Sequence, residues 1–252
     1  MTRKANLLQS IKSKLIAIDR KALRVGTMNE SYRVTWLQAI LKRIPEGNSI
    51  LDAGAGECQF KKFCGHLKYT SQDFAQYHGV GNIGLHTSTW DNSKIDIISD
   101  ITSIPLPDQS VDAVLCTEVF EHIPNPGLAI QEFSRLIRPG GHLIITAPFT
   151  SLTHFAPYHF ATGLSRFFYE KYLPENNFDI LEIDFNGNYF EFVAQEIRRV
   201  KYVTRHFTNQ KLNLLQRLLF HLNLITLQNL SRKDKGSSEL LCFGIHIFAI
   251  KK

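Results

Sequence analysis

The stretch Ile50-Leu51-Asp52-Ala53-Gly54-Ala55-Gly56-Glu57 decides how this chain is read. An apolar run ends in an acid, and two glycines follow one residue apart. A buried parallel strand breaks in this way into a tight turn beneath a nucleotide-like ligand. Glycine tolerates positive φ there and lets the backbone approach the ligand closely. A helix that follows aims its unpaired N–H groups at the same spot. Asp52 stands at the strand end, so its carboxylate is expected to face the same crevice. The dinucleotide fingerprint is left incomplete, because it needs a third glycine where this chain has Gln59. No P-loop lysine follows either. The turn suits a ligand with a ribose and a charged tail better than one with a pyrophosphate. A Gly-x-Gly pair alone is common in ordinary turns, so the downstream spacing has to carry the assignment.

That spacing alternates. Strands are expected at 49–53, 68–73, 95–100, 111–116, 141–147, 178–185 and 240–250. A short helix at 58–66 and an amphipathic helix at 126–138 separate some of them, the latter ended by Pro139-Gly140-Gly141. Residues 74–92 read as loop. Strands alternating with helices and crossover loops imply a parallel sheet covered on both faces. Upstream, Leu7, Leu8, Ile11, Leu15, Ile18 and Ala22 recur at helical spacing over 7–23, and Val34, Leu37, Ile40, Leu41 and Ile44 do so over 31–44. Two more helices are expected over 189–206 and 210–229, between the last two strands. Phe167, Phe168, Tyr169 and Tyr172 also fall at helical spacing, which favours core packing over an acceptor-pocket lining.

In open α/β sheets ligands sit beyond the carboxyl ends of the strands. Asp52, Asp73 and Asp100 all fall at such ends. Asp73 follows Asp52 by about 20 residues, the separation at which an acid meets a ribose hydroxyl pair. Asp100 is placed to accept from the amine of a base, with Ile101 beside it to pack on the ring.

Residues 50–56 resemble the first motif of the class I S-adenosylmethionine-dependent methyltransferases. Asp100 with Pro105-Leu106-Pro107-Asp108-Gln109-Ser110-Val111-Asp112 resembles their adenine-side region. Glu118-Val119-Phe120-Glu121-His122-Ile123 resembles the loop after strand four, and Leu136-Ile137-Arg138-Pro139-Gly140-Gly141 the turn into strand five. The type 11 (ubiquinone-methyltransferase-like) group is the nearest, over about residues 47–150. Glu57 departs from the third glycine that many relatives carry.

The resemblance implies a Rossmann-like α/β fold: a seven-stranded, mostly parallel sheet with an antiparallel last strand and helices on both faces. It implies S-adenosylmethionine as cofactor and S-adenosylhomocysteine as product. Gly54, Ala55 and Gly56 would admit the methionine portion, Asp73 the ribose, and Asp100 and Ile101 the adenine. Thr117 and Glu118 would border the methionine end. A base is needed only if the acceptor must lose a proton, and His122, His154 and His159 are the candidates, in loops after strands four and five. A loop histidine is otherwise structural. No metal-ligand spacing is evident: no i, i+3 or i, i+4 pair stands out, and Cys58 and Cys64 are too far apart for half a zinc site.

The net charge of +6 conceals a division. Residues 1–43 carry 10 Lys/Arg against 2 Asp/Glu, and 198–235 carry 9 against 1, while 44–197 carry 8 against 19. The basic flanks would attract an anionic partner or a membrane surface. The expected organisation is a helical extension at 1–46 and a methyltransferase domain at 47–252, with a basic insertion at 186–238 that serves as lid, membrane surface or partner interface. With no spanning segment or signal peptide evident, the expected location is cytoplasmic, with possible peripheral contact to membrane. The expected acceptor is a small molecule or glycan, such as a sugar nucleotide or lipid-linked saccharide, with a quinone or lipid, or a non-catalytic scaffold role, as alternatives. A nucleic-acid acceptor is disfavoured, because Cys116-Thr117-Glu118-Val119 stands where many base methyltransferases place an Asn/Asp-Pro-Pro-aromatic pocket. The oligomeric state is left open.

Overall fold

A computed structural model describes residues 23–81 and 83–252. The apolar repeat at 7–23 therefore lies, apart from Leu23, outside the described residues. Two compact units are present. One holds 31–186 and 242–252, and the other holds 23–30 and 187–241 among the described residues.

The larger unit is built on β1 (Ser49–Ala53), β2 (Lys68–Asp73), β3 (Ile97–Ile98), β4 (Val111–Thr117), β5 (Ile137–Pro148), β6 (Phe178–Asn186) and β7 (Gly244–Lys251). The order across the sheet is β3-β2-β1-β4-β5-β7-β6. The pairs from β3 to β5 are parallel, and β7 runs antiparallel to both β5 and β6. This is the sheet the resemblance implied. The chain leaves β1 in one direction and returns to β4 on its other side, so the switch point, where such sheets bind ligands, lies between β1 and β4.

Burial on both faces follows from the strand sequences. Leu51 faces a core with Val114, Cys116, Leu143 and Ile145, and its neighbour Ile50 faces another with Leu115, Ile144 and Phe248. Helix α1 (Asn29–Leu41) covers the second face through Trp36, Leu37, Ile40 and Leu41. Helices α2 (Pro126–Leu136) and α3 (Arg166–Glu175) cover the first through Ile130, Phe133, Tyr169 and Leu173. Tyr169 is fully buried and Phe167 is exposed, so that aromatic run is largely core.

Three elements differ from the sequence expectation. β3 has only two residues, because the Asp96 carboxylate takes the Ser71 N–H (2.9 Å) that a longer ladder would use, and is held there by the Ser71 hydroxyl as well (2.7 Å). The helix expected at 58–66 is a single 3-10 turn at Lys61–Phe63, entered through Cys58 at φ 57°. Helix α2 stops at Leu136 and β5 begins at once. Pro139-Gly140-Gly141 is therefore an irregularity inside the strand, where the register to β4 slips. A Cβ on Gly141 would stand 2.6 Å from the Asp112 carbonyl oxygen, so only glycine lets β5 lie that close to β4.

The smaller unit pairs α4 (Tyr189–Thr208) with α5 (Leu214–Ser231) around Val25, Ala194 and Leu224. Asn188 caps α4 by accepting from Glu191 N at 3.0 Å, and Asn213 with Gln216 forms a capping box on α5. Arg198 donates to the carbonyls of Leu23 and Val25, both at 2.8 Å. Leu214, Leu215, Leu218, Leu219 and Leu222 of α5 are each at least half exposed.

Candidate active site

The turn after β1 is held by β2. The N–H groups of Gly54 and Ala55 donate to Gln72 O at 2.8 and 2.9 Å, and Gly56 N donates to Asp73 Oδ2 at 2.9 Å. Gly54 and Gly56 have φ of 75° and 52°, a region costly to any other residue. Asp73 Oδ1 also accepts from Ala75 N at 2.8 Å. Each of its oxygens keeps a second lone pair, so the ribose role expected for it is open chemically.

Asp52 is placed otherwise than expected. It is only 1% exposed, and it accepts a 2.6 Å hydrogen bond from Tyr69. Burial, with a smaller push from Asp73 and against the pull of the Tyr69 hydrogen bond, raises its pKa to about 7. Its Oδ1 is sealed from solvent and has no partner. Such an orphaned carboxylate oxygen beside the glycine turn fits a cofactor that brings a positive charge, as a sulfonium or ammonium does. Asp100 is exposed. Its Oδ1 takes the Thr102 N–H and hydroxyl, each at 2.7 Å, and Oδ2 remains to accept from a base edge. Ile101 is packed into the core at 9% exposure, so only a sliver of it is available to a ring.

Thr117, the last residue of β4, is buried, and Glu118 after it turns sharply at φ 54°. The Glu118 carboxylate is already committed, to Arg33 of α1 at 2.7 Å and to the Thr146 hydroxyl of β5 at 2.9 Å. It borders the site as a fixed charge. Arg33 carries no signal in the sequence, since it is one of many basic residues in a basic segment.

The three histidines come together. His122 closes the 3-10 turn at Phe120–His122, and His154 and His159 lie in the loop after β5. Ring centroids stand 4.6 Å apart for His122–His154, 4.9 Å for His154–His159 and 5.9 Å for His122–His159. Beneath them is Glu121, 1% exposed, whose Oε1 is 3.6 Å from Nε2 of both His122 and His154. Burial raises the Glu121 pKa. Burial lowers His122 to about 4, helped by His154. For His154 burial again pulls downward, but the Glu121 carboxylate beside it and the Leu152 carbonyl outweigh it and the pKa rises. Glu121 lay within the quoted motif, yet nothing in its spacing marked it as the buried partner of histidines from another loop.

The loop after β2 covers this edge. Leu85 N donates to Thr153 O (3.0 Å) and Phe155 N to Leu85 O (3.2 Å), tying it to the loop after β5. Tyr77, Trp90 and Phe155 pack together with centroids 4.4–5.6 Å apart. A Cβ on Gly56 would meet the Trp90 ring at 2.6 Å, and one on Gly54 would meet Val119 at 2.5 Å. Phe155 also lies 5.1 Å from His122. One aromatic cluster thus links the glycine turn to the histidines.

Residues 51–145 match the family model described as a methyltransferase domain. Among curated proteins, the chain is 30% identical over 104 residues to the ubiquinone biosynthesis O-methyltransferase of Xanthomonas oryzae pv. oryzae (strain PXO99A), covering 40% of this chain and 43% of that protein. It is 29% identical over 130 residues to an uncharacterized methyltransferase of Mycobacterium sp. (strain KMS), covering 47% and 49%. The chain thus spans less than half the length of these curated relatives. Among solved structures, a SAM-dependent methyltransferase from Archaeoglobus fulgidus aligns with TM-score 0.51 and 17% identity over 86% of this chain and 94% of that one. The [4+2]-cyclase SpnF aligns with TM-score 0.52 and 16% identity over 87% and 80%. At these identities the structures speak for the fold alone. The matched segment, the sheet order and the acid-flanked glycine turn agree: residues 51–145 match a methyltransferase domain, carried on the sheet of an S-adenosylmethionine-dependent methyltransferase fold.

Proposed function

We propose that this protein methylates a hydroxyl oxygen of a small-molecule or glycan-type acceptor, such as a sugar nucleotide or lipid-linked saccharide. When bound, S-adenosylmethionine supplies a methyl group already activated on a sulfonium, so the chain's own task is alignment, exclusion of water and removal of one proton. Gly54 and Gly56 permit close approach of the methionine portion. Asp73 offers two acceptor oxygens to the ribose, and Asp100 one to the adenine amine. On the other side, Glu121 and His154 are the proton-holding pair. A histidine raised by a buried carboxylate is better poised near neutral pH than the depressed His122. The observation that carries the reading is this placement of Glu121 and three histidines on the same sheet edge as the glycine turn, joined to it through Phe155 and Trp90.

The acceptor class is argued from the smaller unit. A row of exposed leucines on α5, on a strongly basic stretch, suits an amphiphilic acceptor or the anionic surface that holds it. No helix among the described residues is long and apolar enough to cross a membrane. A second reading, a quinone-type acceptor, is favoured by the ubiquinone O-methyltransferases among the relatives.

The test begins with titration of S-adenosylmethionine into wild type and Asp73→Ala. The variant is expected to lose about 1.5–3 kcal/mol of affinity, the worth of hydrogen bonds to a charged group. Transfer of labelled methyl is then measured to sugar nucleotides, polyprenyl-linked saccharides and polyprenyl catechols. Turnover of the catechols alone would select the quinone reading. Absence of cofactor binding by folded wild type would remove the enzyme reading altogether.

A further inference from the structure

The histidine cluster holds more acceptors than its protons can satisfy. His122 Nδ1 contacts the Tyr158 carbonyl, and His154 Nδ1 lies 2.8 Å from the Leu152 carbonyl. A carbonyl oxygen only accepts, so each Nδ1 carries a proton. In a neutral ring the Nε2 is then a bare lone pair. Both Nε2 atoms face Glu121 Oε1, another acceptor, at 3.6 Å. Glu121 Oε2, His122 Nε2 and both ring nitrogens of His159 are shut from solvent without a hydrogen-bond partner. A proton on His154 settles one of these contacts and leaves the others. Buried acceptors converging without donors are costly unless a cation lies among them.

We propose that His122, His154 and His159 bind a divalent late first-row metal ion of the zinc class, with the buried Glu121 carboxylate beside them as its counter-charge. One nitrogen from each imidazole lies within 4.8 Å of the others. Metal–nitrogen bonds of about 2.0–2.1 Å require nitrogens about 3.4 Å apart, so the rings must close by roughly 1.4 Å. Rotation of half-buried rings at the loop surface can supply that movement. Two of the three rings donate an Nδ1–H to a backbone carbonyl, which leaves Nε2 as their ligand atom, as in metal-binding histidines whose tautomer is fixed from outside. Imidazole and carboxylate ligands favour zinc, cobalt, nickel or iron over magnesium or calcium. No cysteine belongs to the group, which disfavours thiolate-seeking ions. Three histidines leave a position for a water or an acceptor oxygen, and with the ion bound its easier deprotonation replaces the base role that the metal-free site leaves to His154. The cysteine-spacing and i, i+4 rules find no metal site here because the ligands come from two loops and meet only when β4 and β5 pair.

Cobalt(II) is the probe. Chelator-stripped wild type is expected to take up one ion per chain, with ligand-field absorption bands of a low-coordinate nitrogen site, and to release it to zinc. His159→Asn should weaken uptake by more than the roughly 10–100-fold that loss of an outer-shell partner costs. The His122→Asn/His154→Asn/His159→Asn variant should abolish it. Absence of saturable uptake by wild type, or equal uptake by a triple variant with native circular dichroism, overturns the proposal. If the triple variant does not fold, His159→Asn decides, since His159 makes no hydrogen bond through its ring that the fold would lose. There, unchanged affinity overturns it. Titration of S-adenosylmethionine into the same stripped protein reports on the methyltransferase reading separately. Cofactor binding without cobalt uptake removes the metal site alone.

Discussion

The β1–β2 end and the β4–β5 end of the sheet's carboxyl edge are built by different means. At the first, backbone does the positioning: two glycines at positive φ, a carbonyl of Gln72 and the carboxylate of Asp73 define the turn within 25 residues of chain. At the second, side chains do it. Glu118 is held by Arg33 from α1 and Thr146 from β5, and Glu121 lies against His122 of its own turn and His154 of another loop. Backbone turns depend on short-range residue type, whereas side-chain clusters depend on which loops the sheet brings together. On the proposed function, the cofactor side is then the end that local sequence makes readable, and the acceptor side is the end that only the pairing of distant loops assembles.

Substitutions can break that comparison. The largest effect is expected from Gly54→Val. A β-branched residue at φ 75° costs about 1–2 kcal/mol in backbone strain, and the clash with Val119 adds about 1–3 kcal/mol of overpacking. Thermal melting should fall accordingly, and a variant that melts like wild type would show that the turn adapts instead of being fixed by backbone.

Asp52→Asn comes next, with the opposite sign. The folded pKa of Asp52 is about 7, above its ordinary value near 4, so the folded state prefers the proton and loses stability as pH rises from about 4 through 7. Without bound cofactor the variant should be the more stable protein above pH 7, by on the order of 3 kcal/mol. The difference should vanish near pH 4. Denaturant melts at the two pH values check this, and a pH-independent difference would show that the carboxylate is not held out of water.

Arg33→Met is the smallest. The Arg33–Glu118 pair is partly buried and screened, so its loss should cost about 1 kcal/mol of stability. Glu118 would keep only the Thr146 hydroxyl. Acceptor KM should rise while cofactor affinity stays put. A change in cofactor affinity instead would place Glu118 on the cofactor side, as the sequence had suggested.

What was legible follows the same division. The alternation of apolar runs and turns gave the seven strands, and the glycine pair gave the turn after the first. The boundaries that moved did so for side-chain reasons: Asp96 capturing Ser71 shortens β3, and Gly141 at the Asp112 carbonyl draws β5 back to Ile137. Asp52 was placed in the right turn but facing the wrong environment, because strand alternation, not proximity in sequence, sends it inward onto Tyr69.

The sequence by itself determined the strands, the glycine turn and the acids beside it, because these rest on local φ preferences and on hydrophobic period, and its motifs, by resemblance, the antiparallel closing of the sheet. Only the tertiary structure decided that Trp90 lies on Gly56, that Arg33 holds Glu118, and that three histidines gather over a buried glutamate. Those contacts join residues about 30 to 85 positions apart. They exist because parallel strands set side by side bring distant loops to one edge, and no periodicity in the chain encodes that meeting.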